Sequence, residues 1–144
     1  MELTFVDVKP GEPAMSGEVG PLIRALRPAL TADGFAAFAA EAHEQGVVFT
    51  VALDERERYL AVATHRVLTT SRGRLLVVDD LVTALDARGA GVGTRLLAEV
   101  EARARAAGCE RIALDAGVAN HGAHRFFHAR RMAITALHFA RELS

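Results

Sequence analysis

The stretch DARGAGVGTRLL, Asp86 to Leu97, constrains the fold more than any other part of the chain. Its three glycines alternate at positions 89, 91 and 93. An apolar run, RLLVVDDLVT (74–83), precedes them and an amphipathic run follows. Glycine at this density means that the backbone turns with φ > 0 or comes close to something. Between a strand and a helix, the free N–H groups and the helix dipole converge on one spot, which is an anion site and most naturally a phosphate site.

The flanking segments give the architecture. Leu3 to Val8 alternates as a strand, and Pro10, Gly11 and Pro13 end it. Residues 19–30 read as short helical pieces broken near Pro28. Thr31 caps a helix that runs to about Gln45 and stops at Gly46, with Phe35, Phe38, Ala39 and Ala42 on one apolar face. VVFTVAL (47–53), YLAVATHRVLTT (59–70) and RLLVVDDLVT are strands joined by turns short enough for hairpins. A helix is expected from about Val92 to Ala107, with Val92, Leu96, Val100 and Ala107 inward and Glu99/Arg103 and Glu101/Arg105 paired outside. RIALDA (111–116) is a strand, Asn120 to Arg130 a helix, and Ala133 to Ala140 a last strand. The fold class is α/β (mixed α+β). It is an antiparallel meander followed by a βαβ unit, a central mixed sheet of about six strands with helices on both faces.

A chain of 144 residues suits one domain, 1–144, and no repeat or linker divides it. Net charge is −1, so no basic field draws it to nucleic acid or membrane. No apolar run spans a bilayer, the start lacks a signal peptide's pattern, and the single Cys109 fits a reducing compartment. A cytoplasmic protein is expected. The phosphate ligand is not set by a Walker A loop, because no lysine follows Gly89 at the required spacing. A Rossmann loop is disfavoured as well. Its third glycine would fall at Thr94 or Leu96, five residues separate the strand from Gly89, and only one βαβ unit is present.

Arg88-Gly89-Ala90-Gly91-Val92-Gly93 matches [QR]-x-x-G-x-[GA], and here the sequence resembles the GNAT superfamily of acyl-CoA-dependent N-acetyltransferases. Leu81 and Thr83 stand where that family has its L-x-V segment. Asn120, Ala123, Phe126 and Phe127 resemble its N-x-x-A-x-x-F-Y. The likeness covers about residues 45–143. It implies that backbone N–H groups from Arg88 through Gly89, Ala90, Gly91, Val92 and Gly93 to Thr94 hold the pyrophosphate of acetyl-CoA. It also implies that the backbone of Leu81, Val82 and Thr83 pairs with the pantetheine arm, and that Asn120 and Phe127 belong to the cofactor site.

An attacking amine must lose a proton, and a departing thiolate can gain one. Asp79 and Asp80 are two adjacent carboxylates near the end of a buried-looking strand, so one is a candidate base and the other a candidate holder of a cationic substrate. Strand alternation puts Asp79 on the face of Leu81 and Thr83, whereas a bulge would bring in Asp80. The family's general acid, a tyrosine, falls at Phe127, which keeps the ring without the proton. His121, His124 and His128 share one helical face, but no carboxylate or cysteine joins them locally and no metal is expected. The expected activity is transfer of an acetyl group from acetyl-CoA to a primary amine, on a small cationic molecule or a protein, by direct attack on the thioester. The alternatives are a non-catalytic acetyl-CoA-binding sensor or scaffold, which Phe127 favours, and a toxin acetylating aminoacyl-tRNA, against which the near-neutral charge argues. A homodimer stays open.

Overall fold

The computed structural model describes residues 1–144, in two compact units, Met1–Ala113 and Leu114–Ser144. The strands form where side-chain alternation and turn residues place them. β1 (Thr4–Val8), β2 (Val48–Leu53), β3 (Tyr59–Thr70) and β4 (Gly73–Thr83) pair antiparallel in chain order, and β5 (Arg111–Leu114) follows β4 in the sheet. The β3–β4 turn uses Gly73 at φ +112°, where a Cβ would strike the Glu110 carboxylate at 2.8 Å. Glycine is required there both for its backbone and for its lack of a side chain.

A π-helical turn over Met15–Val19 runs into α1 (Gly20–Leu26), and α2 is Ala32–Glu44. The Thr31 hydroxyl accepts the Gly34 N–H at 3.0 Å, as an N-cap does. These helices cover one face of the sheet. Val19, Ile23, Phe35 and Ala39 pack with Phe49, Val51, Val62 and Val82, and Phe35 and Phe49 meet edge to face at 6.5 Å.

α3 (Val92–Ala106) covers the other face through buried Val92, Leu96, Val100 and Ala104. The outward pairing of Arg103 is only half of what that residue does. It bonds Glu99 at 2.9 Å but also reaches inward to Asp7 and to the buried Thr50 hydroxyl. That hydroxyl donates to Asp7 at 2.8 Å, so toward His65 Nε2, also 2.8 Å away, it must accept. Neutral His65 therefore carries its proton on Nε2. Burial, and then the nearby Arg103 charge, push its pKa down to about 4.

This has a consequence for stability against pH. The folded pKa lies below the unfolded value of 6.5, so between them the unfolded chain binds more protons. His65 thus favours the fold fully above pH 6.5 and progressively less as pH falls toward 4, by at most about 3 kcal/mol. Urea unfolding of wild type and His65→Gln at pH 4.5 and 7 tests it. The variant should lose less stability on acidification, and an equal loss in the two proteins would refute the assignment.

The second unit carries α4 (His121–Ala129) and a segment that forms no strand. Residues 133–140 were expected to be a sixth strand, and the sheet has five. Alternation predicts an extended backbone but not a partner, and a strand exists only through its ladder. Ile134, Leu137 and Phe139 of that segment are 71%, 74% and 89% exposed.

Candidate active site

The site begins with one extra residue in β4. Thr64 of β3 lies opposite Asp80, but its neighbour His65 lies opposite Val78, so Asp79 has no counterpart on β3. This bulge breaks the alternation that would have placed Asp79 with Leu81 and Thr83. The two aspartates diverge as a result. Asp79 pairs with Arg66 at 3.0 Å, and both side chains are more than a third exposed. Asp80 joins the α1–α2 side, 10% exposed.

Both oxygens of Asp80 are held. Oδ2 accepts from the buried Thr64 hydroxyl at 2.7 Å. Oδ1 accepts from Arg27 at 3.0 Å (Nη2) and 3.3 Å (Nε). Arg27 ends α1, where Pro28 prevents the helix from continuing. Asp80 lines a cavity of about 420 Å³ with Ile23, Arg27, Ala29, Leu30 and Phe38. That volume suits a small ligand, for which pockets run ~300–1,000 Å³. Phe38 packs on the core face of α2 as expected, its ring 6.0 Å from Phe35 and 5.8 Å from Phe49, and is half-buried because it also borders this space.

The glycine loop lies beyond the end of the same strand. Arg88, Gly89, Ala90 and Gly91 are exposed. Gly89 (φ 83°) and Gly91 (φ 79°) are both left-handed, and a Cβ on either would meet nothing within 4 Å. Their role within this chain is therefore backbone geometry, and the space beside them is open. Gly91 is the N-cap of α3, and no side chain caps that helix. The first bond of its ladder runs from Arg95 N–H to Gly91 O, 3.1 Å, so Val92 and Gly93 precede it. An uncapped helix start after an open loop is the arrangement an anion fills.

Leu81, Val82 and Thr83 pair on one side with Ala63, Val62 and Ala61. On the other side the adjacent strand is only four residues long, against eleven in β4, and the Glu110 N–H that precedes it bonds Arg74 O, near the start of β4. β4 therefore runs on past its neighbour toward Thr83.

In the second unit, Asn120 caps α4, its side chain accepting the Ala123 N–H at 3.1 Å. Phe127 is half-buried on that helix, edge to face with Phe126 at 5.2 Å. His124 Nε2 bonds the Gly117 carbonyl at 2.8 Å, and no group of metal-ligating side chains is present.

Two residues of the site were not found from sequence. Thr64 reads as a core threonine. Arg27 stands 53 positions from its partner, and only the Arg-Pro step at the helix end marks where it sits.

Several solved structures share this fold. The chain superposes on an aminoglycoside N-acetyltransferase, AAC(6')-Iy, in complex with CoA (TM-score 0.83, 16% identity, 98% of this chain and 95% of that one). It superposes on an acetyltransferase from Trypanosoma brucei (TM-score 0.78, 20% identity, 99% and 100%). A third match is an aminoglycoside acetyltransferase from an uncultured soil metagenomic sample, in complex with sisomicin (TM-score 0.78, 16% identity, 99% and 97%). At such identities the likeness establishes the fold. No curated protein matches by sequence at a significant level. The sequence profile of the acetyltransferase (GNAT) family, however, matches residues 22–132, which include the bulged strand, the glycine loop and α4. Because that profile covers well over half of the chain, the chain belongs to the GNAT family of acetyltransferases.

Proposed function

We propose that the protein transfers an acetyl group from acetyl-CoA to a primary amine, with Asp80 as the acid that receives the amine. The observation that carries this is the bulge, which sets Asp80 in the wall of a cavity on the same strand that leads to the glycine loop. The loop fits a pyrophosphate on the structure's own terms: two left-handed glycines, open space beside them and an uncapped helix start. Arg88 to Thr94 would hold it. Leu81 to Thr83 would pair with the pantetheine arm as an added strand, since β4 outruns its neighbour there.

Acetyl-CoA supplies the thioester. The protein's residues manage the amine and its protons. Asp80 pairs with the incoming ammonium and takes one proton, directly or through a water, which frees the lone pair. The nitrogen–carbon bond then forms as the carbon–sulfur bond breaks. The second nitrogen proton goes to the departing thiolate, which yields an amide and CoA thiol, and Asp80 returns its proton to solvent. Four lone-pair sites on the carboxylate leave room for the amine beside Thr64 and Arg27.

A panel of amines assayed with acetyl-CoA tests the reading. Turnover with at least one is expected, and tight acetyl-CoA binding without turnover of any would make the protein a sensor or scaffold. Phe127→Tyr is expected to change kcat by no more than about threefold across pH 6–9, because a thiolate leaves readily and a phenol of pKa ~10 adds little to water. A gain of tenfold or more would show that protonation of sulfur limits the rate.

A further inference from the structure

The cavity beside Asp80 is lined by two opposite charges. Its walls are otherwise apolar, formed by Ile23, Ala29, Leu30 and Phe38. Asp80 presents the negative charge. Arg27 presents the positive charge at the same wall, with a side chain 56% exposed. The pair is not a fork on a fork. Arg27 directs Nε and Nη2 at the single oxygen Oδ1, because Thr64 holds Oδ2. Most of the five guanidinium N–H groups are thus not engaged by Asp80.

A simple cationic amine brought to Asp80 would come within a few ångströms of Arg27 and be repelled by it. A polycation would fare worse. A molecule with a carboxylate next to its ammonium reverses that sign. Its carboxylate takes the planar guanidinium, for which the fork geometry is matched, while its ammonium takes Asp80. The four charges then alternate.

We propose that the acceptor is a zwitterion of the α-amino-acid type with an apolar side chain. Arg27 binds its carboxylate, Asp80 receives its amine, and the Ile23–Leu30–Phe38 wall covers the side chain. This rests on the reading of Asp80 as the acid of an amine acetyltransferase. Arg27 is then the specificity-determining residue, supplied by the end of α1 to a strand 53 positions away.

Three acceptors that share one side chain test it: L-leucine, L-leucinamide and isopentylamine, each with acetyl-CoA. The amide's less basic amine is more often free at neutral pH, which biases the comparison against the proposal. Wild type should prefer leucine over both by roughly 10–100-fold in kcat/KM, the size of a charge-assisted hydrogen-bonded pair. Arg27→Gln should bring the three within about threefold of one another, chiefly by raising the KM for leucine, and Arg27→Lys should keep part of the preference. Calorimetry on wild type with CoA present gives a readout that needs no variant: leucine binds, and leucinamide binds at least about tenfold more weakly. Equal use of the three by wild type, or a preference that survives Arg27→Gln, overturns the proposal while leaving the amine acetyltransferase reading standing. Failure of wild type to acetylate any amine, while acetyl-CoA still raises its melting temperature, overturns both.

Discussion

Gly91→Glu should abolish acetyl-CoA binding. Wild type at a ligand concentration about a hundred times Kd gains ~2.7 kcal/mol by mass action, a rise of roughly 5–10 °C in melting temperature for a chain of this size. The variant should show none. Two effects act together. Gly91 sits at φ 79°, which L side chains rarely adopt, and it is the N-cap of an α3 whose start carries no side-chain cap. A glutamate there places a carboxylate where the proposed pyrophosphate would sit. Gly91→Asn separates the two effects, since asparagine tolerates the left-handed region without a charge. It should keep much of the shift. A normal shift in Gly91→Glu would remove the glycine loop from the cofactor site.

The second large effect belongs to Asp80. Asp80→Asn should lower kcat by ~10²–10⁴-fold, the usual loss on removing a general base, while acetyl-CoA raises the melting temperature as in wild type. Asp79→Asn should stay within a few-fold of wild type, because its partner is the exposed Arg66 and such pairs contribute ~0–1 kcal/mol. Steady-state kinetics of the two single variants on the same acceptor decide between the carboxylates. The reverse ranking, or wild-type rates in both, would refute the assignment of Asp80. Thr64→Val is informative alongside, since it removes the hydrogen bond to Oδ2 without touching Oδ1.

The pairs of residues that the sequence made legible are those that interact locally. The Thr31 cap, the span of β3, the inward stripe Val92–Leu96–Val100 and the strand–loop–helix around Gly89 and Gly91 depend on residues a few positions apart. Period-2 and period-3.6 patterns and capping chemistry record such relations directly. The same holds for the turn itself, since glycines at 89 and 91 before an amphipathic run already mark a strand-to-helix turn with φ > 0.

Tertiary structure decided the rest. Which of Asp79 and Asp80 lines the cavity turns on a single residue of slip between β3 and β4, and a bulge leaves no mark in the period of either strand. Arg27 reaches Asp80 across 53 positions, and Arg103 reaches Asp7 across 96. Both arginines look like ordinary surface charges on their own helices, because a helical pattern reports which face a side chain is on and not what it meets. Residues 133–140 show the converse. Their alternation is sound, yet they form no ladder, because hydrogen bonds between strands belong to two segments and one segment's sequence describes only itself.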